Sequence, residues 1–148
     1  MAEFVRLPDV AMVALRLRDG FARGLPIVGK STIIGTDRII STGPDEWLAM
    51  ATDGYAPALL ARLSEYDAIA VDVSGNRLCY QMAGAEARWH LSAGCSIDLD
   101  RLEPGDARST LIARAQAIIV VERHDSFLVL PRRSLGNYIE TWGASLNS

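Results

Sequence analysis

The chain has 148 residues, 49% of them hydrophobic and 22% charged, and a formal net charge of -3. That length suits one domain, residues 1–148, able to bury about 70% of its unfolded surface, and the composition excludes the disordered and fibrous classes. A slightly acidic chain lacks the basic face that nucleic acid demands, no apolar run approaches the ~20 residues of a bilayer span, and the first residues (MAEFVRLPDV) lack the basic-then-apolar order of a secretory signal, so a cytoplasmic protein with no membrane partner is expected.

Residues 1–8 read as an arm, since Pro8 discourages a helix before it. Residues 10–17 alternate as a strand, with Val13, Leu15 and Leu17 on one face and Arg16 and Arg18 on the other. Gly20, Gly24 and Pro26 break that pattern. Gly29-Lys30-Ser31-Thr32 invites a phosphate-loop reading, which is set aside because Gly24 is read as one residue too early for the loop's first Gly and Thr32 leads into strand-like Ile33-Ile34-Gly35 instead of a long helix. Residues 32–35 and 38–41 read as short strands meeting at Thr36-Asp37, residues 42–46 (TGPDE) as a turn, and residues 47–51 as a further strand. Asp45 and Glu46 are adjacent carboxylates on a turn without a nearby His or Lys, and are read as solvent-facing rather than as an acid/base pair. Trp47 is core or interface. Ala56, Leu59, Leu60 and Leu63 then recur at helical spacing within residues 55–66.

The central stretch, residues 66–99, reads as strand, turn, strand, helix and short strand. Residues 67–73 are a β-branched run closed by Ser74-Gly75-Asn76. The chain turns back into residues 78–82, with Leu78, Tyr80 and Met82 on one face and Cys79 and Gln81 on the other. Gly84 ends this strand, and residues 85–93 read as a helix closed by Gly94 in the left-handed conformation. Residues 94–99 (GCSIDL) form the short strand, and Pro104-Gly105 turns the chain. Residues 107–114 and 117–123 are strands, and His124-Asp125 leads into residues 126–130; these last two strands are apolar nearly throughout and are expected to be covered on both faces. Ser134 is a natural N-cap for a final helix carrying Leu135, Tyr138, Ile139, Trp142 and Leu146 to the chain's end. Intermixed hairpins and helices place the chain in the α+β class, with small, mostly antiparallel sheets and flanking helices.

Catalytic material is sparse. His90 follows Trp89 on a helix without an evident partner, and His124 sits at a hairpin tip. Cys79 and Cys95 read as buried thiols, and two His with two Cys in these contexts assemble no metal set.

The ordered set VDVS (residues 71–74), a short strand ending in Gly, a short helix, GCSIDL and Leu102-Glu-Pro-Gly105 resembles the gamma subunit of heterotetrameric sarcosine oxidase. TGPDEWL (residues 42–48) upstream, and SFLVLP (residues 126–131) with RRSLGNY (residues 132–138) downstream, extend the likeness from about Ile39 to the C-terminus. The N-terminal third matches loosely, and the chain is shorter than the family implies. That family is related to the folate-binding aminomethyltransferase of the glycine cleavage system, and the resemblance implies its fold of two interlocked subdomains.

It further implies an accessory subunit without catalytic, cofactor-binding or metal residues of its own. The aminomethyltransferases carry a catalytic Asp in the region corresponding to residues 114–118. Here no acidic residue stands between Asp106 and Glu122, and neither Gln116 nor Ala117 can move a proton or stabilise an iminium. The implied assembly demethylates sarcosine, or another N-methylated amine, to the free amine, releasing formaldehyde or methylene-tetrahydrofolate and hydrogen peroxide. FAD, FMN, NAD, tetrahydrofolate and zinc are expected in its alpha, beta and delta subunits. Trp89, Arg132, Arg133, Tyr138 and Trp142 are the expected interface residues, being of the types enriched at interface centres; Tyr138 and Trp142 suit a core equally well. A stand-alone folate-dependent one-carbon transferase and a homodimeric binding module are the alternatives.

Overall fold

The first strand, β1 (Glu3–Arg6), pairs with a strand from the far half of the chain, so the intervening residues must form a structure of their own. The computed structural model describes residues 2–146 and divides into one compact unit made of residues 8–75 and another made of residues 2–7 and 76–146. Each is built on a five-stranded sheet with antiparallel pairing throughout.

Residues 8–75 supply β2 (Ala11–Arg16), β3 (Ser31–Ile34), β4 (Asp37–Gly43), β5 (Glu46–Ala51), helix α1 (Ala56–Leu63) and β6 (Ile69–Asp72). The sheet order is β3-β4-β5-β2-β6. Alternation along β2 buries Val13 and Leu15 and leaves Arg16 in solvent, as the sequence pattern requires. Leu59 and Leu63, one helical turn apart, are the buried residues of α1 and join the same core, each stabilising the unit by about 1.5–3 kcal/mol. Trp47 is core too, and its Nε1–H donates to the Pro26 carbonyl at 2.8 Å, which satisfies its one polar atom.

The other unit adds β7 (Tyr80–Ala83), helix α2 (Ala87–Ser92), β8 (Ala107–Ile112), β9 (Ala115–Arg123), β10 (Ser126–Pro131) and helix α3 (Gly136–Ser145), with sheet order β1-β7-β10-β9-β8. β10 is buried at every position, between β7 and β9. Phe127 and Val129 point into a core shared with Tyr80, Met82, Ile119 and Val121, which Leu91 of α2 and Ile139 of α3 complete. Leu128 and Leu130, on the opposite face, are buried as well, so the expectation of a doubly covered hairpin holds.

Several local expectations are corrected. The described part of the presumed arm, from residue 2, contains strand β1, and Phe4 stacks on Tyr80 with centroids 4.9 Å apart and an interplanar angle of 8°. The two strands of the central stretch do not share a sheet: β6 pairs with β2, and β7 with β1 and β10. Residues 94–99 form only a bridge from Cys95 to Ile112, followed by a 3-10 turn at Leu99–Arg101 that Asp98 caps. Ser134 caps nothing, because it lies within a 3-10 turn, Arg133–Leu135, ahead of α3. The final helix was expected to run to the chain's end, and positions 147 and 148 lie outside the described residues.

Gly94 does not close α2 in a left-handed conformation. Its smallness matters through contact: a Cβ there would lie 2.6 Å from the Trp142 ring, and one at Gly143 of α3 would lie 2.4 Å from the Phe4 ring. Phe4 and Trp142 meet edge to face at 6.1 Å. Helix propensity favours Ala over Gly by about 1 kcal/mol, yet overpacking costs about 1–3 kcal/mol. Gly143→Ala and Gly94→Ala are therefore both expected to lower stability by roughly 1–2 kcal/mol in urea titrations.

The β8–β9 turn holds two non-glycine residues at positive φ, Ala113 at 50° and Arg114 at 73°. Ala113 N–H donates to the Gly94 carbonyl at 2.8 Å, and the Ala113 carbonyl accepts from the Tyr138 hydroxyl. Left-handed backbone strains residues with a Cβ, whereas Asn-Gly adopts it readily. Replacing the pair (Ala113→Asn with Arg114→Gly) is expected to stabilise the chain by about 1 kcal/mol in thermal and urea unfolding.

The Tyr80 hydroxyl is buried, with the Glu140 carboxylate near it but no well-formed hydrogen bond among the described residues. Burial first, and the Glu140 carboxylate second, push its pKa from 10.0 up to about 12. The unfolded chain thus ionises this phenol at lower pH than the folded one. Its contribution is intact below about pH 10 and is lost as pH climbs toward 12, on the order of 2 kcal/mol in all. Tyr80→Phe is expected to flatten the alkaline arm of the stability-pH profile while changing stability at pH 7 by less than about 1 kcal/mol.

Candidate functional site

Helical spacing on α2 buries Ala87, His90 and Leu91 and so turns Trp89 outward, where it is 71% exposed. His90 Nε2 lies 3.4 Å from Glu86 Oε2, and the Trp89 ring meets the imidazole edge-on at 5.1 Å. Arg132 and Arg133 are exposed where β10 gives way to α3. Beside them Arg77 bridges to Arg132 and donates from Nη1 to the Leu130 carbonyl at 2.8 Å. Burial first, then the Arg132 charge, lowers the Arg77 pKa.

Tyr138 and Trp142 share a shallow depression of about 420 Å3 on α3 with Asn137, Thr141 and Ser145. Trp142 is half-buried against the core, while Tyr138 is half-exposed, its hydroxyl holding the β8–β9 turn. The five expected interface residues thus divide. Trp89, Arg132 and Arg133 stand in solvent, Tyr138 lies at the boundary, and Trp142 belongs largely to the core. Trp89 is not part of the α3 depression.

The groups that catalysis would draw on are engaged structurally or solvated. Asp45 and Glu46 are exposed, and Glu46 pairs with Arg16 at 3.0 Å. His124 is exposed in its turn. Neither cysteine is in a disulfide; Cys79 is buried, as expected, but Cys95 only partly. Glu122, the acidic residue of β9, accepts from Gln81 Nε2 and Ser126 Oγ, both at 2.8 Å. Among the described residues no group of three or more His, Cys, Asp or Glu is arranged to hold a metal ion, and no helix is long and apolar enough to cross a membrane. The reading of Gly24 as misplaced is corrected, since Gly24, Gly29, Lys30 and Ser31 stand at full P-loop spacing, but β3 begins at Ser31 where the phosphates would need a helix N-terminus.

One cavity has no forerunner in the sequence pattern. Asp37, buried in β4, receives both Nε and Nη2 of Arg62 at 2.7 and 2.8 Å, and Asp53 Oδ2 lies 3.9 Å from Nη2. Ile39, Leu63 and Tyr66 join this pair around about 280 Å3. The pair ties α1 to the sheet and neutralises itself. Its only trace in the sequence is an Asp in register with Ile39, two positions along the same strand face.

A family model described as "Sarcosine oxidase, gamma subunit family" matches residues 9–147. The sarcosine oxidase subunit gamma of Corynebacterium sp. (strain P-1) is 29% identical over 133 residues, covering 85% of this chain and 65% of the relative, so the chain spans just under two thirds of that protein's length. Among solved structures, a chain of heterotetrameric sarcosine oxidase from Corynebacterium sp. U-96, in complex with pyrrole 2-carboxylate, superposes with a TM-score of 0.84 at 23% identity, covering 98% of this chain and 83% of that one. The glycine cleavage system aminomethyltransferase T from Bartonella henselae superposes with a TM-score of 0.74 at 12% identity, covering 96% of this chain and 45% of that one. These two likenesses establish the aminomethyltransferase-like α+β fold. The model match spans nearly the whole sequence, the loosely matching N-terminal third included, and the chain belongs to the sarcosine oxidase gamma subunit family.

Proposed function

We propose that this chain is an accessory, non-catalytic gamma subunit of a sarcosine oxidase-type heterotetramer, its residues 1–148 acting as one gamma-type domain. The observation that carries this reading is the family match over residues 9–147, which includes parts of both compact units. The surface supports it. An indole 71% exposed leaves a large apolar area in water, and the exposed Arg132 offers a planar donor to a partner's carboxylates or carbonyls. Such side chains carry much of the energy of subunit contacts. The strand where a folate-handling carboxylate would stand has Ala115, Gln116 and Ala117 instead, and its Glu122 is committed to Gln81 and Ser126.

On this reading the alpha, beta and delta subunits hold FAD, FMN, NAD, tetrahydrofolate and zinc. The assembly demethylates sarcosine or another N-methylated amine oxidatively, and the gamma chain stabilises it by burying surface. Co-expression of the tagged chain with the flavoprotein subunits of a sarcosine oxidase-type assembly is expected to yield one flavin-coloured complex. Trp89→Ala is expected to leave the isolated chain's stability within about 0.5 kcal/mol of the parent while weakening retention of the partners at least about tenfold. Calorimetric titration of the isolated chain with tetrahydrofolate is expected to give no micromolar binding; such binding would overturn the non-catalytic reading.

A further inference from the structure

β6 lies at the edge of its sheet, paired only with β2, and all four of its residues are exposed, Ile69 by 68% and Val71 by 51%. Val73 N–H donates to the Met12 carbonyl at 2.9 Å. By the alternation of an antiparallel ladder, Val71 and Ile69 then direct their backbone groups to β2, and Ala70 and Asp72 direct theirs to the open edge. Side chains alternate likewise: Ile69 and Val71 share one face, while Ala68 and Ala70 line a groove of about 470 Å3 beside α1, together with Leu60, Glu65, Tyr66 and Asp67.

Unpaired strand edges template further strands, and soluble proteins cover or blunt them. Here the edge is apolar on one face and acidic on the other. Glu65 and Asp67 are exposed with no ion-pair partner among the described residues, and the nearby Arg16 is taken by Glu46. A second copy of this chain fits poorly, because pairing β6 with itself would bring together two segments, residues 63–76 of each copy, that carry Glu65, Asp67 and Asp72 and no Lys or Arg.

We infer that the open edge of β6 docks an extended segment of a partner subunit, in which apolar side chains lying over Ile69 and Val71 alternate with Lys or Arg reaching Glu65 and Asp67. The segment becomes a sixth strand of the sheet, bonded to the outward backbone groups of Ala70 and Asp72. This rests on the accessory-subunit reading and names where on the chain a partner sits.

The test uses the full chain co-expressed with the flavoprotein subunits. Ala70→Pro deletes an outward N–H without touching the β2 ladder, the one strand position type where proline is tolerated. It is expected to keep the parent's circular dichroism and melting temperature yet lose retention of the partners at least about tenfold. Glu65→Lys with Asp67→Lys, both on exposed side chains, is expected to weaken retention several-fold and decides the matter if the proline variant fails to fold. Amide hydrogen exchange at Ala70 and Asp72 is expected to slow at least about tenfold on assembly. Complexes that form undiminished with both variants, with those amides exchanging as in the isolated chain, would overturn the docking site and leave the accessory reading standing. A parent chain that never co-purifies overturns both. A homodimer lost on Ala70→Pro would also overturn the inference, by assigning the edge to a second copy.

Discussion

Strand β10 depends on having a neighbour on each side and cover on each face. A strand reading Ser-Phe-Leu-Val-Leu-Pro has no polar side to give to water, so β7, β9 and the packed helices are obligatory company rather than decoration. One polar cluster fixes the alignment. Glu122 of β9 accepts from Gln81 of β7 and from the fully buried Ser126 of β10, so a single carboxylate reads the position of three adjacent strands. A slip of one residue would break that cluster and reverse Phe127 and Val129.

The same economy runs through other polar groups of the chain. Two buried or half-buried carboxylates serve the fold: Asp37 neutralises Arg62 and Glu122 registers strands. The outward-facing groups are instead of the kind that proteins use to recognise one another, an indole on α2, a cluster of arginines before α3 and an acidic, apolar sheet edge at β6. Family membership and physical surface agree in pointing outward.

Local patterns were readable wherever local physics decides. The two-residue alternation of β2, the helical spacing of Leu59 and Leu63, and the unbroken apolar runs of β9 and β10 all appear in the structure with small shifts at the ends. The failures share a cause, which is contact between residues distant in sequence. β1 is too short to announce itself and exists because β7 offers an edge. Residues 67–73 and 78–82 are neighbours in sequence and looked like one unit, but their partners, β2 and β10, assign them to different sheets. Gly94 looked like a helix terminator, and its real constraint is the ring of Trp142. At the surface, residue type alone does not separate exposed groups from packed ones: Trp89, Arg132 and Arg133 are exposed, whereas Trp142 is partly buried because α3 rolls it onto Phe4. The β6 edge escaped notice because the apolar run Ile69-Ala70-Val71 reads as interior until its place at the end of a sheet is known.

The interrupted unit has a consequence for how the polypeptide matures. Residues 8–75 are contiguous and can collapse as soon as they leave the ribosome, but β1, made earlier, has no mate until β7 emerges behind them. Phe4 must therefore wait, unpaired, while a whole sheet is built, and closing so long a loop adds an entropic delay before the second core can seal. Vectorial synthesis thus favours a half-formed species, with the 8–75 unit complete and the N-terminal segment loose, as the form that chaperones and proteases would meet first.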